Sequence, residues 1–588
     1  MIKKAYWLIP SIIIGVGAIA GGATAGYLVN SNSVFNELRT YTAIPTGISN
    51  DALIQSYLAA AVNGTKLISA PGFTHTAPIT QALAIAQNQN PAIYKYMNKT
   101  GFLLLDDKYG SPIFNSNNEI DTKVNQPVWS TNVASAQFRT DLGTFIVGIG
   151  LGEFLNEYQY YFATDEDGKL TYGTYGGDNF SSVTSFMGGL QRGINFFNEY
   201  IVPYAKNSSG QPYLPIEQVI LGNGYQQNFS GGFGTTDGNS LINQFLNQKV
   251  DALMPVAGDQ TTQAVRMIKQ NNLRTIVLGV DSASELNTNA NQTLPISGYK
   301  DVNGSKAIGG TNNIIQFSSL KKLDQITLQI TNNINNNVSL PAEGSTIGGF
   351  GYHSLGNVAN NCVGISNAGY QYFIRAIKLF MASYGMDPND PNANIVFDSQ
   401  SVIDDSQIQS IFEIPNNNPN VNIPTTEEYK NYYTDNYYNQ YVHVLTQTET
   451  YKQLDLPEYK KYILPGNDIT CSYADIPNTG SQMMPLNIEE LDQWFEQYVA
   501  GSDPSVNEKK LNSLKQWFKD NEETINIRKE FNLENQLNKE DWESNNTVIK
   551  VALNAPNISL LDKSFNESAF DGLILYWKSK GITISKPH

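Results

Sequence analysis

Short apolar runs, each stopped by Gly, Pro or Asp and separated by stretches of helical spacing, recur over residues 38–281. Thr40-Tyr41-Thr42-Ala43-Ile44 alternates and stops at Pro45, Lys66–Ala70 stops at Pro71-Gly72, and Gly101–Leu105 stops at Asp106-Asp107. Asp51–Val62 and Ile79–Gln87 between them carry helical patterns. A second series follows. Leu170–Tyr175 ends in Gly176-Gly177-Asp178, Ala252–Val256 ends in Ala257-Gly258, and Thr275–Leu278 ends in Gly279-Val280-Asp281, with a helix predicted over Val183–Tyr200. Strand and helix alternating over this length predict an α/β protein with parallel sheets covered by helices. Gly and Asp at the strand ends fall where such a sheet opens onto a binding crevice.

The texture changes after about residue 384. Pro, Asn and Asp cluster at Asp387–Asn394 and Pro415–Pro424, followed by Tyr-rich and charged stretches. Ile488, Leu491, Trp494, Phe495 and Tyr498 recur at spacings of three and four, as do Leu511, Leu514, Trp517 and Phe518. These are amphipathic helices, and a helical insertion is expected over about 384–546. The pattern then reverts to a strand, Val548–Asn554, a loop, and a helix with Phe565, Ala569, Leu573 and Tyr576 on one face. Ser564-Phe565-Asn566-Glu567 fits a capping box at the start of that helix.

At 588 residues the chain exceeds one compact core and should hold two to four units. Its formal net charge of -16 excludes nucleic acid as a partner, since there is no basic surface to displace counterions. The two cysteines, Cys362 and Cys471, form no disulfide framework or zinc spacing, and the four histidines are scattered. No metal, cofactor or histidine-dependent nucleophile is expected. Gly176-Gly177-Asp178 and Gly231-Gly232-Phe233-Gly234 lack the Gly-Lys-Ser/Thr ending of a phosphate loop. The cluster Tyr429, Tyr432, Tyr433, Tyr437, Tyr438 and Tyr441 reads as the packed face of a helix, or as a surface for stacking carbohydrate or a partner.

The N-terminus carries Lys3 and Lys4, then no charged residue from Ala5 to Val29. Two readings stand: a secretory signal cleaved near Ala23-Thr24-Ala25, or an uncleaved anchor long enough for a bilayer core of ~30 Å. Either way the two lysines place the N-terminus inside and the bulk of the chain on the extracellular face.

The C-terminal string Leu561-Asp562-Lys563-Ser564-Phe565-Asn566, with Phe570 eight residues after Asp562, resembles the opening signature of the basic membrane protein family of substrate-binding proteins, which serve nucleoside-importing ABC transporters. Asn132–Phe138 with Gly143-Thr144-Phe145 is similar to that family's entry into the second lobe. Val256-Ala257-Gly258, Gly279-Val280-Asp281, Ser319–Asp324 and Gly348–Gly364 match later signatures in order. The match covers roughly residues 38–383 and 547–588. Only the first strand–helix unit is displaced, to the end, so the chain reads as a circular permutant. Leu561 stands where the family often has Asn, and the segment around Phe233 is Gly-richer and shorter than the family's. The usual lipidated cysteine after the apolar run is absent.

The resemblance implies a type I periplasmic-binding-protein fold, two Rossmann-like lobes closing on a purine nucleoside, with no catalysis. Carried over, Asp562 would hydrogen-bond the ligand, Phe570 and Phe233 would stack on the base from opposite sides, and Asp106 would bind a polar edge of the base. Gly258 would allow close backbone approach, and Asp281 and Lys321 would grip the ribose hydroxyls. Taken singly, each Phe reads as core and each Asp as a cap or turn residue; the ordered set gives them a role. The expected organisation is a signal or anchor (1–33), part of lobe 1 (34–131), lobe 2 (132–315), a return to lobe 1 with the hinge (316–383), the insertion (384–546) and the permuted unit (547–588). The expected function is extracellular capture of a nucleoside for the permease of an ABC importer, at the cell membrane. The alternatives are a surface interaction or adhesion protein using the insertion, and a surface hydrolase.

Overall fold

The computed structural model describes residues 40–43, 49–62, 65–72, 75–89, 93, 96–97, 100–109, 112–121, 132–162, 168–221, 229–286, 313–343, 345–358, 360–383, 480–523, 525–526, 550–554 and 565–579. The N-terminal signal or anchor, the tyrosine cluster at 429–441, Leu561, Asp562 and the capping Ser564 lie outside them.

Along the chain come β1 (Thr40–Ala43), α1 (Asn50–Val62), β2 (Thr65–Pro71), α2 (Thr76–Gln89), β3 (Gly101–Leu105) and β4 (Val133–Phe138). Next are α3 (Thr140–Glu157), a single turn α4 (Gln159–Phe162), β5 (Leu170–Gly176), α5 (Ser181–Tyr200), β6 (Ile216–Gln218), α6 (Asn239–Asn247), β7 (Ala252–Val256), α7 (Gln260–Gln270), β8 (Ile276–Gly279) and β9 (Ile315–Lys321). Then follow α8 (Leu323–Asn335), β10 (Tyr352–Gly356), β11 (Val363–Ile365), α9 (Asn367–Ser383), β12 (Ser481–Gln482), α10 (Leu491–Tyr498), α11 (Pro504–Asp520), β13 (Lys550–Asn554) and α12 (Phe565–Ser579).

Two sheets form, in the orders β1-β13-β2-β3-β4-β10-β12 and β11-β9-β8-β7-β5-β6. Pairing is parallel except where β12 meets β10 and β11 meets β9. Each is thus a largely parallel sheet whose inner strands read as continuous apolar runs; all of β3 and β7 is buried. The chain crosses to the second sheet after β4, returns between β9 and β10, crosses again between β10 and β11, and comes back to the first sheet between β11 and β12. This is the type I periplasmic-binding architecture, and it is circularly permuted. The C-terminal β13 lies inside the first sheet: Val551 is in register with Thr40 of β1 on one side and Leu67 of β2 on the other.

The helix after it completes the packing. Asp324 N, at the start of α8, donates to Ser568 Oγ at 3.2 Å. Gly572 lets α12 approach α8 closely: a Cβ there would stand 2.6 Å from Asp324 O and from Thr327 Cβ. Ala569, Phe570, Leu573, Tyr576 and Trp577 join the main apolar cluster.

Two sheet assignments correct the expected boundaries. Val133–Phe138, read as entering the second lobe, pairs with β3 and β10 in the first sheet, so the crossing comes after Phe138. Ile315–Lys321, read as part of the return, pairs with β8 and β11 in the second. An apolar run specifies a strand, whereas its sheet is decided by partners distant in sequence.

The described part of the insertion is helical and has a core of its own. Met484, Leu491, Trp494, Phe495, Leu514, Phe518 and Ile525 cluster there with Ile120. Trp494 Nε1 donates to Gln482 O at 2.7 Å, tying α10 to β12 at the sheet edge. Asp503 caps α11, accepting from Ser505 N and Val506 N, with Pro504 in the first turn. Among the described residues no helix is long and apolar enough to cross a membrane.

Candidate functional site

The ends of β3, β8 and β9 bring three charged side chains together. Asp106 directly follows β3 of the first sheet, Asp281 follows β8 of the second, and Lys321 closes β9. Lys321 Nζ donates to Asp106 Oδ2 at 2.8 Å, a contact between sheets. The same ammonium lies 3.3 Å from Asp281 Oδ1, within ion-pair range. The backbone fixes the second pair as well, since Lys321 N donates to Asp281 O at 2.8 Å.

Both aspartates adopt left-handed backbone, φ +73° at Asp106 and +67° at Asp281. Asp tolerates that region better than most residues. Two occurrences at facing strand ends fit the concentration of such conformations at binding sites. Asp106 is held there by its N–H, which donates to Ala136 O of β4 at 2.9 Å.

Burial governs the electrostatics. It pushes the Asp106 carboxyl above the usual range, and the neighbouring Lys321 ammonium offsets this only in part. For Lys321 burial works against the charged form, but Asp106 and Asp281 together outweigh it and raise the pKa. Phe138 of β4 and Phe186 of α5 complete the ammonium's surroundings, their ring centroids 5.9 and 5.3 Å from Nζ. Next to Asp106, burial raises Asp107 to about 6, opposed by its hydrogen bonds. Asp107 Oδ2 accepts from Thr76 Oγ1 at 2.6 Å and from Thr76 N at 3.2 Å, which caps α2 from outside.

Further along the second sheet, Gly258 lies two residues beyond the end of β7, with φ +57°. A Cβ on Gly258 would stand 3.9 Å from Phe233 O, so the two expected ligand neighbours are adjacent. Phe233 sits in a glycine-rich turn organised by Gln260, which is fully buried. Gln260 Nε2 donates to Ser230 Oγ at 3.1 Å, Gly232 O at 3.0 Å and Gly234 O at 3.2 Å. The Phe233 ring lies against Gly177, where a Cβ would come within 2.5 Å of it.

The structure therefore brings together Asp106, Asp281 and Lys321 as one group and Gly258 with Phe233 as another. Phe570 lies elsewhere in character: it is 2% exposed and packs in the main apolar cluster. Its helix still touches the neighbourhood, because Asp324, the partner of Ser568, is three residues beyond Lys321. Asp562 lies outside the described residues. Phe138, Phe186 and Gln260 belong to these groups although nothing in the sequence sets them apart from core or helix residues.

The arrangement offers charged hydrogen-bonding groups and apolar rings. Among the described residues no cluster of His, Cys, Asp and Glu could hold a metal ion.

Sequence comparison gives two related curated proteins. An uncharacterized lipoprotein of Mycoplasma genitalium is 30% identical over 351 residues, 53% of this chain and 56% of that protein. Its homolog in Mycoplasma pneumoniae is 30% identical over 354 residues, covering 53% and 51%. The chain thus spans about half the length of these relatives. No protein-family model matches it. Among solved structures, a solute-binding protein of an ABC transporter system from Aeropyrum pernix is 16% identical, covering 76% of this chain and 86% of that one with a TM-score of 0.36. An ABC transporter solute-binding protein from Clostridium phytofermentans with bound β-D-glucose is 14% identical, covering 54% and 81% with a TM-score of 0.28. At such scores the fold rests on the strand order and crossings described above.

Proposed function

We propose that this chain is a solute-binding protein that captures a neutral, hydroxyl-rich ligand, a purine nucleoside, and presents it to the permease of an ABC importer. The reading rests chiefly on the Asp106–Lys321–Asp281 group. It joins the ends of strands from both sheets, so a ligand held there is gripped by both lobes at once.

The chemistry of the group favours hydroxyls over anions. One ammonium faces two carboxylates, leaving no surplus positive charge for a phosphate. Carboxylates accept from hydroxyl and amino groups, while the ammonium donates. Phe233 and Gly258 supply an apolar, closely approachable surface for a flat base. The importer assignment rests on the ordered resemblance to the basic membrane protein family. On this reading residues 1–33 hold the protein at the membrane, facing outward; the two mycoplasma relatives are likewise named as lipoproteins. Binding is non-covalent, and no reaction is assigned.

Thermal-shift screening of nucleosides, free bases and sugars tests this. A ligand at 100 times its dissociation constant adds ~2.7 kcal/mol of stability. A purine nucleoside is expected to raise the melting temperature, and phosphorylated nucleotides are expected to be weaker. If only sugars shift it, the base assignment falls and the lobe-bridging group is retained. If no small molecule does, the surface-interaction reading gains, for which the insertion has its own core and a strand in the first sheet.

A further inference from the structure

We propose that Phe180 shares with Phe233 one stacking surface of the crevice, in place of the opposed ring that the resemblance gives to Phe570; the inference rests on the nucleoside reading above. Phe180 lies between β5 and α5 and is 38% exposed, whereas Phe570 is enclosed in the main apolar cluster. The Phe180 and Phe233 rings are parallel to within 10°, with centroids 6.5 Å apart. That is near the upper end of the ~4.5–7 Å range for aromatic pairs. Being parallel, the two rings offer a planar ligand one common stacking orientation.

The backbone that carries each ring is fixed by hydrogen bonds. Phe180 N donates to Asp178 O at 3.0 Å, and Phe180 O accepts from Val183 N and Thr184 N at the start of α5. Phe233 is backed by Gly177, and the carbonyls on either side of it, Gly232 O and Gly234 O, are held by Gln260. Little ordering remains to oppose binding.

Position along the sheet supports the pairing. Lys321 closes β9, and Asp281, Gly258 and the Gly177–Phe180 turn follow the ends of β8, β7 and β5; the four strands are consecutive neighbours. At ~4.8 Å per strand the row spans about 14 Å, charged at one end and aromatic at the other. A sugar joined to a bicyclic base has the same polarity along its length. The class of ligand is therefore one whose planar ring lies on the Phe180–Phe233 surface while its hydroxyls reach Asp281 and Lys321.

The test is calorimetric titration of the full chain with adenosine, guanosine and ribose, in wild type, Phe180→Leu and Phe180→Tyr. Leu keeps bulk without a ring; Tyr keeps the ring. Nucleoside affinity is expected to fall roughly 10-fold or more in Phe180→Leu, the scale of one base–aromatic stacking contact. Phe180→Tyr is expected to bind like wild type, and any ribose binding is expected to be equal in all three. Cooperative melting without ligand should be retained in all three, since Phe180 is partly exposed and lies outside the main apolar cluster. Wild-type affinity in Phe180→Leu overturns this inference and leaves the nucleoside reading intact. Failure of wild type to bind any nucleoside overturns both.

Discussion

Lys321 Nζ lies 2.8 Å from Asp106 Oδ2, although Lys321 ends a strand of the second sheet and Asp106 follows a strand of the first. Both side chains are less than a tenth exposed. Removing the ammonium leaves two facing carboxylates without their counter-charge. Breaking such a buried pair costs ~3–5 kcal/mol. Lys321→Met is expected to lower the unfolding free energy by an amount of that order, seen as a reduced urea midpoint, and to abolish ligand response. A midpoint equal to wild type would show that the contact is not maintained in solution.

Glu153 gives a pH signature. It is fully buried, and burial raises its pKa to about 7 despite the opposing Arg375 charge and a hydrogen bond from Tyr213. Because the folded pKa exceeds the ordinary 4.5, the folded state binds the proton more tightly than the unfolded. The group's contribution to stability therefore grows as pH falls from about 7 towards 4.5 and is lost as pH rises back through 7. His75 acts oppositely: burial lowers it to about 4, so its contribution is lost as pH falls from 6.5 towards 4. The difference curve between wild type and Glu153→Gln isolates the first effect. Wild-type stability relative to the variant should increase on acidification across that window, and a flat difference would refute the assignment.

Gln260 tests the organisation of the aromatic loop. Its amide N–H groups serve Ser230, Gly232 and Gly234, each bond contributing about 1 kcal/mol net. Gln260→Leu is expected to weaken nucleoside binding roughly tenfold or more, on the scale of one to two such bonds. Unchanged affinity would mean that the loop is held by its glycine geometry alone.

The permutation predicts dependence on the C-terminus. β13 separates β1 from β2, so deleting residues 547–588 removes an internal strand and the helix on α8. The truncated chain is expected to lose cooperative melting and ligand response together. Gly572→Val is the milder probe, with ~1–3 kcal/mol expected from overpacking against Asp324 and Thr327. Cooperative unfolding of the truncated chain at the wild-type midpoint would contradict the sheet order.

The strands Lys66–Ala70, Gly101–Leu105 and Ala252–Val256 were legible because each is a short apolar run closed by Pro, Gly or Asp, the signature of a buried parallel strand. The displaced Asp562–Phe570 string likewise made the position of β13 legible, although Asp562 itself lies outside the described residues. Sheet membership of Val133–Phe138 and Ile315–Lys321 was not, because pairing partners are remote in sequence. Nor were Phe138 and Phe186 beside Lys321: each belongs to an apolar pattern indistinguishable from core. Gln260 looked like an ordinary polar residue at the start of a helix, and its role appears only when the 230–234 turn folds over it.

The most direct test of the central claim, a lobe-bridging carboxylate–ammonium group that grips a nucleoside, is calorimetric titration of the full chain and Asp281→Ala with adenosine and guanosine. Wild type should bind one of them with one site per chain, and Asp281→Ala should lose that binding while still melting cooperatively. Equal binding in both proteins, or none in wild type, would contradict the account.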